Sequence, residues 1–109
     1  MFRNKTIKLR NKARLAHANV PWHEVVWFHF RRFRPPTTGV APYTPVGEGY
    51  SFCYVLYLRD GKRYTLKFFG NEIHNAVKHA LAEHAPKVKP EPYSRERYRR
   101  WKRDVQRWR

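Results

Sequence analysis

The feature that most constrains this fold is the segment from Tyr50 to Phe69, in which two strand-forming runs flank the dipeptide Asp60-Gly61. Both runs are rich in β-branched and aromatic residues, which favour strands. Asp-Gly between such runs favours a two-residue turn with positive φ at both positions. The segment therefore predicts a β-hairpin.

A two-residue turn also fixes the register of the predicted hairpin. It pairs Arg59 with Lys62, and because side chains alternate along a strand, each face then collects every second residue. The expected core face contains Cys53, Val55, Tyr57, Tyr64, Leu66 and Phe68. The other face is half apolar, since Tyr54, Leu56 and Leu58 lie there opposite Arg63, Thr65 and Lys67.

One helix and one further strand complete the predicted centre of the chain. Apolar residues recur with helical spacing from about Glu72 to His84, with Asn71 as the expected N-cap and Pro86 as the stop. This helix is expected to cover the core face of the hairpin. The run Val20–Phe30 predicts a strand with apolar residues on both faces. Residues 31–49 contain four prolines and three glycines, which predicts a long loop that is functional or lies against a partner.

The C-terminal segment predicts a second helix, which Ser94 caps and which runs from about Arg95 to the end. Tyr98, Trp101, Val105 and Trp108 recur at helical spacing on one narrow stripe. Two tryptophans on such a stripe favour burial, and we expect the stripe to dock on a neighbouring protein, with docking on the chain's own hairpin as the alternative.

Together these elements predict an α+β fold, a small antiparallel sheet of one strand and a hairpin covered by one helix. They divide the chain into a basic N-terminal extension at 1–19, a small α+β domain at 20–86, and a proline-containing linker with a basic helix at 87–109. A core of about 65 residues buries only about 60% of the surface of its unfolded chain, so docking on a partner would add needed stability.

The charge of the chain is unusual, with 24 Lys+Arg against 8 Asp+Glu and a net charge of +16. It is concentrated in the two terminal segments, and such an excess attracts anionic partners, of which RNA fits both segments. A membrane fits the C-terminal helix alone, because the N-terminal segment forms no single apolar helical face. The residues expected to contact RNA are Lys5, Lys8, Arg10, Lys12, Arg14, Arg31, Arg32, Arg34, Arg95, Arg99, Arg100, Lys102, Arg103 and Arg107.

Several other functions lack their sequence signals. Cys53 is the only cysteine, which excludes an intrachain disulfide and a CxxC redox pair. His74, His79 and His84 are five residues apart, so on a helix they do not converge on one metal ion. Paired carboxylates, a nucleophile elbow and a glycine-rich phosphate loop are not found. We therefore expect no enzymatic activity, no cofactor, no metal and no small-molecule substrate.

The segment FCYVLYLRDGKRYTLKFFGNEIHNAVKHALAEHA resembles the C-terminal half of thioredoxin-like proteins of the mitochondrial large ribosomal subunit, the large-subunit protein fifty-three family. VVWFHFRRFRPP is similar to the end of that family's opening strand. The resemblance implies a degenerate thioredoxin-like fold, because residues 31–49 are too rich in proline and glycine for the helix that the family has there. It also implies a structural ribosomal role without redox chemistry.

We therefore expect a non-catalytic ribosomal protein of the mitochondrial matrix that binds rRNA and neighbouring ribosomal proteins. The N-terminal segment, which has no acidic residue, is typical of mitochondrial targeting segments in its composition. The alternative is an accessory subunit of an inner-membrane respiratory or ATP synthase complex, which the aromatic content and the tryptophan-bearing C-terminal helix would suit.

Overall fold

The structure is a computed structural model that describes residues 3–33 and 51–108. The predicted α+β class is confirmed, with four strands in one sheet and helices packed on both of its faces. The strands are β1 (Arg3–Leu9), β2 (Val25–Phe33), β3 (Ser51–Leu58) and β4 (Lys62–Phe69), and the helices are α1 (Lys12–His17), α2 (Asn71–His84) and α3 (Arg95–Arg107). The strand order is β1-β4-β3-β2.

The predicted hairpin is present as β3 and β4, but its register differs by one residue. Three residues, Arg59 to Gly61, separate the strands instead of two. Gly61 has a φ of +92° and its N–H donates to the Leu58 carbonyl over 3.2 Å. This is the loop in which a glycine of positive φ follows a tight turn. As a result Tyr57 pairs with Arg63 rather than with Tyr64.

The register shift exchanges the faces of one strand relative to the other, so the predicted core face is wrong. A slip of one residue moves every side chain of a strand to the opposite face of the sheet. The core face on the α2 side contains Phe52, Tyr54, Leu56, Tyr64, Leu66 and Phe68. The opposite face of the hairpin contains Cys53, Val55, Tyr57, Arg63, Thr65 and Lys67.

β2 lies beside β3 and begins later than predicted, because Trp22–Glu24 form a 3-10 turn before it. Its covering on both faces is confirmed, since Phe28 is buried in the α2-side core and Trp27 is buried on the other side. The linker between α2 and α3 runs along its outer edge, where the Glu91 N–H donates to the Phe28 carbonyl over 3.0 Å. This contact shields an edge that would otherwise expose unpaired backbone groups.

The largest departure from the sequence prediction is β1, which was expected to be part of a basic extension. Residues 3–9 instead pair in parallel with β4, from Arg3 opposite Lys62 to Leu9 opposite Phe68. Ile7 and Leu9 recur at the two-residue period of a strand and pack on the α2-side core. The predicted boundary at residue 20 therefore does not separate an arm from a domain.

The main core lies between the sheet and α2, from which Ile73, Val77 and Leu81 are buried. Helix α2 begins at Asn71, and its N-cap is Gly70, which makes no side-chain capping hydrogen bond. The prediction of Asn71 as N-cap is thus wrong by one residue. Helix α1, capped by the Asn11 side chain, adds Leu15 to the edge of the same core.

Candidate nucleic-acid interface

Helix α3 packs on the sheet face opposite α2, and the predicted Ser94 cap is confirmed, since its hydroxyl accepts from the Arg97 N–H over 3.0 Å. Trp101 is 1% exposed and lies edge-on to Tyr57 with 4.9 Å between ring centroids. Its indole N–H donates to the Leu58 carbonyl over 2.9 Å. Val105 is fully buried beside it.

The centre of the aromatic stripe is therefore docked on the chain's own sheet, the alternative considered from the sequence, and is not free for a neighbouring protein. The physical reason is the register. Tyr57 lies on the α3 side, where it stacks on Trp27 with 3.8 Å between centroids and forms an aromatic platform. Tyr98 packs at the margin of this cluster, while Trp108 is 42% exposed, with the Arg59 guanidinium 4.9 Å from its ring.

Arg97 is part of this docking. Its guanidinium lies 4.6 Å from the centroid of the Trp27 ring and forms an ion pair with Glu91. The Trp27 indole N–H also donates to the Glu91 carbonyl over 2.8 Å. The linker, the sheet and α3 are thus joined through one tryptophan.

The sheet face on the α3 side is organised in three rows that run across the strands. The cross-strand pairs align one residue of each strand in β1-β4-β3-β2 order. The rows are Asn4-Arg63-Tyr57-Trp27, Thr6-Thr65-Val55-His29 and Lys8-Lys67-Cys53-Arg31. The aromatic cluster of α3 packs on the first row and on Val55, whereas the third row lies at the other end of the face.

We call the third row, Lys8-Lys67-Cys53-Arg31, the basic row. Lys8, Lys67 and Arg31 are all exposed, and Cys53 between them is half-buried. Neighbouring strands are about 4.8 Å apart, so the row spans about 14 Å between the Cα atoms of its outer residues. Three cations on a strip of this width form a concentrated positive surface.

Acidic side chains do not neutralise the basic row within the described part of the chain. The carboxylates of Glu72, Asp60 and Glu91 form ion pairs elsewhere, with residues of α1, the hairpin turn and α3. The Cys53 thiol adds no negative charge at neutral pH, because burial raises its pKa by more than Lys67 and Arg31 lower it. Among residues 3–33 and 51–108, the three cations of the row therefore have no ion-pair partner.

An exposed aromatic ring lies next to the basic row. Phe69 follows Lys67 by two residues on β4, so its side chain projects from the same sheet face, and it is 55% exposed. Phe69, the basic row and Arg10 line a cleft of about 800 Å³. Leu9, Phe52 and Phe68 also line the cleft, so it combines cations with aromatic side chains, as sites for single-stranded nucleic acids do.

The middle row carries a histidine that stays neutral more readily than usual. Burial, and then the charges of Arg63 and Arg31, lower the pKa of His29. Its Nε2 lies 2.9 Å from the Tyr57 hydroxyl, whose pKa burial raises to about 12. This pair is therefore uncharged at neutral pH, and the positive charge of the face belongs to its Lys and Arg residues.

A second basic surface lies on α3, away from its buried stripe. We call it the outer stripe, and it consists of Arg95, Arg99, Lys102 and Arg103. These residues line a shallow cleft of about 790 Å³ that also includes Glu96. Since α3 lies on the same sheet face as the basic row, both surfaces are on one side of the sheet.

The structure divides the predicted RNA-contacting residues among several places. Lys8 and Arg31 are in the basic row, Arg10 lines its cleft, and Arg95, Arg99, Lys102 and Arg103 form the outer stripe. Lys5 lies over the Tyr64 ring and Arg32 is on the α2 side of β2, so neither is on the sheet face that carries the basic row. Arg14 is exposed on α1, while Lys12 there pairs with Glu72 over 3.5 Å.

The remaining predicted contacts are on α3 or outside the described residues. Arg100 lies 3.3 Å from Glu91, so its charge is partly compensated, and Arg107 is exposed near the end of α3. Arg34 and most of the long predicted loop lie outside the described residues.

Sequence reasoning missed Lys67 and Phe69 as interface residues. Their alternation along β4 places both on one face, a signal that the sequence contains. The two-residue turn predicted at Asp60-Gly61 gave them the wrong cross-strand neighbours, because it placed Cys53 on the other face of the hairpin.

Within residues 3–33 and 51–108, no group of three or more side chains suited to a metal ion is found. No helix in the same ranges has the length and hydropathy needed to cross a membrane. Comparisons of the chain with protein-family models, with curated proteins and with solved structures found no match.

Proposed function

We propose that this chain is a non-catalytic, RNA-binding structural protein of a ribosome. The observation that carries the proposal is the basic row, three exposed cations on one sheet face that form no ion pair with the described acidic residues. The phosphate backbone is the partner that such a surface binds, through contacts that do not depend on base sequence.

A large RNA-rich particle suits the chain better than a small anionic ligand. The net charge of +16 destabilises a free monomer through self-repulsion, and a partner with many phosphates would remove that penalty. The basic row and the outer stripe are separate surfaces on one side of the sheet, so an extended polyanion could contact both. Under this proposal rRNA lies against that side.

The mitochondrial assignment is a further part of the proposal and rests on the resemblance of residues 52–85 to a mitochondrial large-subunit family. Under this part of the proposal, the protein belongs to the large subunit of a mitochondrial ribosome, in the matrix. In that setting other ribosomal proteins would contact the end of α3, where Trp108 remains exposed.

Co-sedimentation tests the proposal. The full chain carrying an affinity tag is expressed in its native cells, and gentle lysates are separated on a density gradient before and after nuclease treatment. We expect the chain in ribosomal-subunit fractions before treatment and its release afterwards. A chain that is absent from these fractions would contradict the proposal. A chain that stays in a large membrane complex after nuclease would favour the respiratory or ATP synthase alternative.

A pair of charge-matched variants makes this test specific. The triple variant Lys8→Gln, Arg31→Gln, Lys67→Gln removes three charges from the basic row. The control Lys78→Gln, Lys87→Gln, Lys89→Gln removes three charges from exposed positions on α2 and the linker. Only the first should reduce co-sedimentation, and an equal loss from both would mean that net charge alone attracts the chain to the particle.

A further inference from the structure

We infer that the sheet face beside α3 binds single-stranded RNA, with phosphates on the basic row and one base stacked on Phe69. This inference rests on the proposed function and names the kind of RNA that the face takes. Phosphate contacts by themselves do not distinguish a single strand from a duplex, whereas stacking of a base on Phe69 does.

The first argument is the position of Phe69. The ring is 55% exposed and belongs to the position on β4 that follows the Lys67-Cys53 pair on the same face, and aromatic surface exposed beside cations gains by being covered. Bases of a single strand can be splayed onto an aromatic ring, whereas those of a duplex are stacked inside it. Phe69 would therefore contribute to binding a single strand and not to binding a duplex.

The second argument is the geometry of the row. Side chains two residues apart on a strand are about 7 Å apart, so Phe69 lies that distance to one side of the line through Lys8, Lys67 and Arg31. A strand whose phosphates follow this line places its bases to one side of it. One base can then reach Phe69 while the phosphates stay on the cations.

The third argument is the size and lining of the site. The cleft of about 800 Å³ is lined by Lys8, Arg10, Arg31 and Lys67, together with Cys53 and Phe69. It has room for a nucleotide, whereas a duplex, whose bases are stacked inside it, could offer it only phosphates. Proteins that bind single strands without sequence preference use this combination of a basic groove and a stacking ring.

Cys53 offers a reporter inside the site, because it is the only cysteine in the chain. A bound strand that crosses the basic row would cover its thiol. The alkylation rate of the full-length protein is measured with a roughly 12-nucleotide oligouridine or with an RNA duplex of the same length. At about ten times its Kd, the single strand should slow alkylation about tenfold, and the duplex should do so much less.

Substitutions at Phe69 test the stacking directly. Phe69→Ala should weaken single-strand binding roughly 5- to 150-fold, the range for loss of one base–aromatic stack, and leave duplex binding unchanged. Phe69→Tyr retains the ring and should bind like the wild type, whereas Phe69→Leu retains bulk without a ring and should resemble Phe69→Ala. Far-UV circular dichroism and the thermal midpoint verify that each variant is folded, as the exposure of Phe69 leads us to expect.

The outcomes separate this inference from the proposed function. If the wild type binds neither RNA, both fail. If it binds RNA but does not prefer the single strand, or if Cys53 is not protected, or if Phe69→Ala has no effect, the single-strand inference is overturned while RNA binding stands.

Discussion

Replacing Trp101 by alanine tests whether α3 is docked on the sheet as described. The side chain is 1% exposed, contacts Tyr57 edge-on and donates a hydrogen bond to the Leu58 carbonyl. Truncating a buried tryptophan to alanine costs about 3–5 kcal/mol through lost burial and the cavity left behind. The Leu58 carbonyl keeps a second donor, the Gly61 N–H, so the lost hydrogen bond leaves no unpaired acceptor. We therefore expect a loss of about 3–4 kcal/mol.

Urea unfolding followed by far-UV circular dichroism measures this loss. Domains of this size are stable by about 5–15 kcal/mol, so Trp101→Ala should unfold at clearly lower urea concentration or be only partly folded. Trp108→Ala on the same helix is the matched control, because that ring is 42% exposed and its contact with Arg59 is worth only about 0.5–1 kcal/mol. Equal, small effects of the two substitutions would refute the docking of α3.

Three further substitutions probe particular parts of the fold. Gly61→Ala should destabilise the protein by about 1–2 kcal/mol in the same urea assay, because its φ of +92° disfavours a side chain, and an unchanged midpoint would argue against the three-residue loop. Ser94→Ala should cost about 0.5–2 kcal/mol through loss of the α3 cap, with Ser94→Thr closer to the wild type; similar losses from both would mean that the hydroxyl does not cap the helix. The pKa of His29 is lowered in the folded protein. As the pH falls below the ordinary value of 6.5, the unfolded chain therefore binds a proton at this residue before the folded protein does. The free energy of unfolding should thus decrease from about pH 7 to 5, and decrease less in His29→Gln; identical pH profiles would show that His29 is not buried as described.

The sequence was sufficient to predict the elements with strong local signals. The hairpin, α2 and α3 all depend on patterns within one segment, such as the Ile73, Val77, Leu81 spacing or the Ser94 cap, and each is present. The turn was harder, since Asp60-Gly61 fits a two-residue and a three-residue loop alike, and only the packing of both faces decides between them.

β1 could not be predicted because its stabilisation is non-local. Only Ile7 and Leu9 are buried or half-buried among its seven residues, and its pairing partner β4 is more than fifty positions away. A parallel strand at the edge of a sheet needs little hydrophobic pattern of its own. The sequence of this segment is therefore equally compatible with a helix and with an extended strand.

The candidate site was only half predictable for the same reason. The charges of Lys8 and Arg31 predict RNA contacts, but no local pattern shows that these two residues share a row with Lys67 and Cys53. That row depends on the register of three strand pairs, one of which involves β1. Long-range pairing, and not composition, creates the basic row.

The most direct test of the central claim is the salt dependence of single-stranded RNA binding by the full chain. Each phosphate contact contributes about −0.7 to the slope of log Kobs against log salt concentration. We predict a clearly negative slope for the wild type, which becomes less negative by about 2 when Lys8, Arg31 and Lys67 are all replaced by glutamine. The control with Lys78, Lys87 and Lys89 replaced should keep the wild-type slope. A wild-type slope near zero, or equal slopes for the two triple variants, would contradict the assignment of the basic row as the RNA-binding surface.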